Sequence, residues 1–149
     1  MLVLVAEYIA VDPEDIRYTL ASAGLTAVSF AIFMILALAL RSAGVRLFLT
    51  LPALTFASFL VVLRTLHLRL NGAWYIMTSL ALALIIAQLS AALHYLPLLP
   101  TTYGLMLIGP TYALTSLVAN LADGIPLRRA ITGPTLVLIT IWVAALWTI

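Results

Sequence analysis

Charged residues and turn signals cut this chain into five apolar runs, at 18–40, 47–63, 70–93, 95–122 and 130–149. Each reaches the lower limit of about 17 residues for a helix that spans a bilayer. The second is the shortest, but Arg46 and Arg64 at its ends can snorkel to the headgroups and let a short helix fit. The pattern predicts an all-α fold, a polytopic transmembrane helix bundle with about five spans and short loops. The spans are expected at approximately 17–41, 46–66, 73–95, 102–122 and 128–149, in a single integral-membrane domain over 1–149. Short loops make sequence neighbours antiparallel neighbours in space.

Local signals place the ends. Asp12-Pro13-Glu14-Asp15 offers an N-cap, a proline at the first helical position and acids in the first turn of helix one. Gly44 is the expected stop of that helix and Asn71-Gly72 of the next. Pro97 and Pro100 bracket the third link; Gly124 and Pro126 mark the fourth. Residues 1–11 are apolar but include Glu7, lack a basic leader and are too short to span. They are expected either to lie in the interface or to be the remnant of a span lost to a misplaced start codon.

Three runs contain a proline. If helix four began at Pro110, only 13 residues, about 20 Å, would remain before Asp123. Starting near Thr102 gives 21 residues, about 31 Å, which spans. Pro110 therefore lies inside a helix, removes the hydrogen bond to the Met106 carbonyl and bends the axis. Pro52 and Pro134 are expected to kink their helices likewise. Static kinks are the expected role, with Thr111 and Thr115 placed to re-satisfy the backbone.

Composition agrees with the pattern. Hydrophobic residues make up 65% and charged residues 8%, with mean hydropathy +1.23. Soluble domains carry about 25% charged residues, so this chain could not cover a globule with polar surface. Cysteine is absent, which removes thiolate chemistry and Cys-ligated metals. A net charge of +2, with the seven arginines scattered rather than clustered, is too small to suggest nucleic acid, and no nucleic-acid partner is expected. Arg17, Arg64, Arg69, Arg128 and Arg129 fall on one side of a five-span topology, and Arg41 and Arg46 on the other. The positive-inside rule then puts the N-terminus in the cytoplasm and the C-terminus outside. Tyr18, Trp74 and Tyr75 are expected to ring the inner interface, and Tyr95, Tyr103 and Trp147 the outer one.

Candidate chemistry is sparse. Thr19, Ala23, Ala27 and Ala31 on helix one, and Ser79, Ala83, Ala87 and Ala91 on helix three, form four-residue ladders of small side chains that suit close helix packing. Gln88, polar and deep in a span, is expected to bond across helices. His67 and His94 are the candidate haem or chlorin ligands, but 27 residues separate them, about 40 Å if helical, so they cannot share one haem. No cofactor and no metal are predicted. Arg64, Arg69, Arg128 and Arg129 are candidate lipid-headgroup contacts.

Asp123-Gly124 followed by Arg128 resembles the opening of the CDP-alcohol phosphotransferase motif. Leu127 stands where that motif has Ala, and Asp123 is the last acid of the chain, so the paired carboxylates of a two-metal site are missing. The stretch HYLPLLPTTYGLMLIGPTYALTSL (94–117), with the Trp-containing span after it, is similar to uncharacterised bacterial membrane proteins classed as domains of unknown function. That resemblance implies no activity, and the expected location is the bacterial inner membrane. The expected function is non-catalytic: a helical accessory or scaffold subunit of a larger membrane complex. The alternatives are a small transporter or a protein binding lipid or an apolar solute, and a pigment- or haem-binding subunit. The expected partners are the bilayer, other membrane subunits or a second copy.

Overall fold

The structure, a computed structural model, describes residues 18–70 and 72–147. Asp12 to Asp15, Arg17, Asn71 and residues 1–11 lie outside the described residues, as do the side chains of Tyr18 and Thr19. Five helices and no strand occur among the described residues: α1 Tyr18–Ser42, α2 Leu47–Arg69, α3 Ile76–His94, α4 Pro100–Ala122 and α5 Leu127–Trp147. All five are long and apolar enough to cross a membrane.

Local chemistry explains the ends. At Gly44 (φ 63°) the Val45 N–H bonds back to the Leu40 carbonyl, and at Gly124 (φ 77°) the Ile125 N–H bonds to that of Asn120. These are glycine-terminated helix stops, which need the left-handed backbone that glycine adopts without strain. Pro100, expected in a link, is instead the first residue of α4. Its fixed φ suits the first turn, where its missing N–H costs nothing. Helix α4 runs unbroken through Pro110, as α2 does through Pro52 and α5 through Pro134.

Helix α4 is the hub and packs against every other described helix; α5 packs against α4 alone. Its buried positions, among them Thr102, Tyr103, Leu107, Thr111, Ser116 and Ala119, therefore fall all around its axis. The main core gathers Phe30 and Phe33 of α1, Leu54 and Val61 of α2, Ile86 and Leu93 of α3, and Tyr103 and Leu107 of α4. Polarity is inverted relative to a soluble bundle. Thr50, Ser58, Ser79, Ser90, Thr111 and Thr115 are buried, while Ile32, Ile35, Phe56, Leu84, Leu136 and Val143 face outward. Lipid offers no hydrophobic drive between helices, so small and hydroxyl-bearing residues pack inside.

Two glycines on α4 set the closest approaches. A Cβ at Gly104 would meet Met34 Sδ of α1 at 2.9 Å, and one at Gly109 would meet Leu138, Trp142 and Ile141 of α5 at 3.2–3.4 Å. Gly109-Pro110 is thus a packing seat for α5 rather than a turn.

Several expectations need correction. Tyr103 does not ring an interface: it is fully buried, its hydroxyl is 2.8 Å from Ser90 Oγ, and the Arg41 guanidinium lies 5.3 Å from its ring centroid. Burial of a tyrosine needs a polar partner, and Ser90 provides it. Gln88 faces outward from α3, with no hydrogen-bond partner among the described residues. Thr111 and Thr115 do not serve the Met106 carbonyl; they donate to the carbonyls of Leu107 (2.7 Å) and Thr111 (2.6 Å), one turn back on their own helix. A threonine hydroxyl in a helix reaches the i−4 carbonyl, which puts that of residue 106 out of register.

The packing seats carry a prediction. Gly104→Leu and Gly109→Leu each overfill a contact and should destabilise the bundle by about 1–3 kcal/mol. Gly24→Ala, where an added Cβ meets nothing within 4 Å, should be neutral or mildly stabilising. Reversible unfolding in mixed detergent micelles reads all three; equal stability of Gly109→Leu and Gly24→Ala would refute the seat.

Candidate functional site

Helices α1 and α5 both pack on α4 but not on each other. The gap between them is a lateral groove of about 490 Å³, within the usual 300–1,000 Å³ size range of small-molecule pockets. On α1 the wall is built by Ala23 and Ala27, with Ser22, Thr26 and Phe30 beside them. These alanines belong to the expected packing ladder, yet both are exposed, and the room their short side chains leave is the groove itself. Ala31 is exposed beyond it. The α3 ladder behaves differently: Ala83 and Ala87 are buried inside the bundle and Ala91 is half-buried.

The lining is graded along the helix axes. Position follows from residue count, at 1.5 Å per residue from the helix ends. Arg69 ends α2, and Thr65 lies one turn deeper. Ser22 and Thr26 of α1, and Ser116 and Thr115 of α4, fall within about 12 Å of the same end. Farther in, about 15–21 Å from that end, the lining is Tyr112, Val137, Phe30, Ile108 and Ile141. Phe30 and Tyr112 meet edge-on with centroids 5.7 Å apart. One end of the groove is therefore hydroxylated and cationic; the other is lined mainly by apolar side chains and ends about two-thirds of the way along the helices.

Arg69 Nη1 donates to Ser116 Oγ at 3.3 Å. That bond ties the guanidinium to the groove mouth, while the residue stays exposed. Arginine retains several further N–H donors in a planar fork that fits carboxylate or phosphate oxygens. Thr65, 3% exposed, also lines the groove, and its Oγ1 has no hydrogen-bond partner among the described residues. This arrangement can hold an anionic head at the mouth and a hydrocarbon chain within. It offers no nucleophile–base pair.

The remaining candidates are scattered. Arg64 is half-buried on α2 and does not line the groove; Arg128 and Arg129 are exposed at the start of α5, on the same end of the bundle. His67 stacks on Trp74, centroids 4.1 Å apart. His94 lies at the other end, on a separate cavity of about 150 Å³ with Arg41, Thr50 and Tyr103. Neither histidine lines the large groove, and among the described residues no three His, Asp or Glu side chains come together. Arg41, counted above only for orientation, is a strut. It donates through Nη1 to the His94 carbonyl (3.0 Å) and through Nη2 to that of Leu96 (2.6 Å), fixing the α3–α4 link.

One residue went unread in the sequence. Pro134 has no N–H, so the carbonyl of Ala130, four residues earlier, loses its helical donor. Asn120 Nδ2 of α4 donates to that carbonyl at 3.1 Å. The amide completes the α5 backbone and pins this groove wall to α4. The available signal was a polar amide near the end of one helix and a proline two turns into the next. Pro110 is half-buried on α4 and Pro52 exposed on α2, and neither lines the groove.

A family model described as "Protein of unknown function (DUF5656)" matches residues 1–148. No curated protein and no solved structure matches the chain.

The clamp on the groove wall gives a thermodynamic test. Asn120→Ala should cost about 1 kcal/mol in unfolding experiments, the worth of one hydrogen bond. In a Pro134→Ala background the restored N–H satisfies Ala130 within its own helix, and the same substitution should cost clearly less. A double-mutant cycle measures the difference. A coupling of zero would mean that Asn120 supports α5 by some other contact.

Proposed function

The chain belongs to this family of proteins of unknown function, and we propose that it is a non-catalytic multi-pass membrane protein whose lateral groove binds an anionic amphiphile, a lipid or a lipid-like molecule. The observation that carries this reading is the grading of the groove, from Arg69, Ser116 and Thr65 at the mouth to Phe30, Val137 and Ile141 at and beyond the middle of the helices. A single hydrocarbon chain lies in the apolar part, and the charged head meets Arg69. Because α1 and α5 do not close on each other, a ligand can enter sideways from the bilayer. The groove lining ends about two-thirds of the way along the helices and does not reach the other end, which favours binding over conduction across the membrane. No cofactor belongs to this reading.

The arginine asymmetry supports a cytoplasmic N-terminus, with the groove mouth toward the inner leaflet of a bacterial cell membrane. That leaflet carries anionic lipid, which a juxtamembrane arginine attracts. A role as an accessory subunit is the second reading, favoured by the outward-facing amide of Gln88 on α3.

The test is native mass spectrometry of protein extracted gently from its own membranes. The wild type should carry one anionic lipid or fatty-acid-like molecule per chain. Ala27→Phe fills the groove without touching the core and should abolish the adduct. Arg69→Gln should keep an adduct but lose the preference for anionic over zwitterionic lipid, by about three- to tenfold, as expected for a change of roughly 1 kcal/mol. An adduct unchanged in Ala27→Phe would place the ligand elsewhere.

A further inference from the structure

Helix α3 sets a polar group where the bilayer offers it no partner. Gln88 lies twelve residues from Ile76 and six from His94, about 18 Å and 9 Å from the helix ends. Both distances place it within a hydrocarbon layer about 30 Å thick. Its side chain is exposed on the outer face of α3 and has no hydrogen-bond partner among the described residues. A primary amide left unpaired in hydrocarbon is strongly unfavourable.

The residues around it form a seam. Met77, Ala81, Leu84, Gln88 and Tyr95 are all exposed, and with half-buried Ala91 they follow at alternating intervals of four and three residues. That is the heptad spacing along which two helices supercoil at the shallow left-handed crossing common in membrane bundles. A single polar residue within such a seam fixes register.

We propose that this seam pairs with the same seam of a second copy, α3 against α3 about a two-fold axis, with the two Gln88 amides hydrogen-bonded to each other. The chemistry selects the occupant. An amide carries two donors and one carbonyl acceptor, so it is complementary to itself. A two-fold axis brings identical residues face to face without any mismatch of charge. A charged partner residue would have to be buried in lipid to reach Gln88, which disfavours it. The interface is also compatible with the groove, because α3 contributes none of its lining and packs against neither α1 nor α5.

The natural absence of cysteine allows a direct test. Leu84→Cys places a thiol one turn from Gln88 on the seam; Ile139→Cys places one on the outer face of α5, where no pairing is expected. On mild oxidation in native membranes, Leu84→Cys should give a disulfide-linked species of twice the chain mass and Ile139→Cys should not. Adding Gln88→Leu to the tagged chain should weaken dimerisation in liposomes about three- to tenfold, read by energy transfer between labelled copies. Gln88→Asn, which retains an amide, should recover part of that loss. Gln88 is exposed and makes no hydrogen bond among the described residues, so thermal stability of the monomer in detergent should be unchanged and serves as the folding control. Cross-linking of Leu84→Cys no stronger than that of Ile139→Cys overturns the proposal. So does a cross-linked product containing a different chain, or dimerisation that is indifferent to Gln88→Leu.

Discussion

The structure depends on how closely other helices can approach α4. In water, burying apolar surface would hold the bundle together; in lipid the surroundings are as apolar as a leucine side chain, and that term is missing. What remains is dispersion at contact distance and hydrogen bonds between helices, and dispersion falls away within an ångström of added separation. Gly104 lets Met34 of α1 reach the α4 backbone, and Gly109 does the same for Leu138 and Ile141 of α5. Both approaches are made to the one helix that touches all the others. The groove is a consequence of this geometry: α1 and α5 dock on α4 independently, and the space between them is left unfilled.

The same constraint governs the prolines. Each removes a backbone donor in a medium that cannot replace it. For Pro134 the replacement comes from a neighbouring helix, through Asn120, so one bond both repairs α5 and fastens it. The hydroxyls of Thr50, Thr55, Thr111 and Thr115 bond to carbonyls of the preceding turn or cap. That satisfies their polarity locally and lets Thr50, Thr111 and Thr115 be buried at little cost.

The five helices were legible in the sequence because hydrocarbon imposes a length rule, and because arginine and glycine mark where the chain leaves it. Gly44 and Gly124 ended helices for the conformational reason that singled them out. Which face of each helix turns inward was far less legible. Leucine and isoleucine occupy both core and lipid-facing sides, so hydropathy does not separate Ile86, buried, from Ile85, exposed. Tyr103 was misassigned because an aromatic residue near a helix end suits a lipid interface and a buried hydrogen bond equally well; the deciding partner, Ser90, is thirteen residues away. Ala23 and Ala27 were read as packing positions, since small residues permit close approach. They do not reveal whether the helix that takes up the offer lies in the same chain, and within the bundle Ala23 and Ala27 stay exposed. Of the groove's polar end, only Arg69 stood out, because threonine and serine are common in membrane helices and their convergence depends on the fold.

Several polar groups of the bundle are answered from within: buried Tyr103 by Ser90, the Ala130 carbonyl by Asn120, and the carbonyls of His94 and Leu96 by Arg41, whereas buried Thr65 Oγ1 and Ser79 Oγ are not. Against that background, polar groups turned outward acquire meaning. Arg69 stands at the level of the headgroups, where a formal charge is tolerated and an anion is at hand. Gln88 lies deeper, where a charge would be prohibitive and only a neutral amide-like partner is affordable. Depth therefore sorts the two. The arginine end suits an amphiphile whose head stays at the surface, and the glutamine seam suits a helix that crosses the same layer. Because α3 lines no part of the groove, occupation of one leaves the other free.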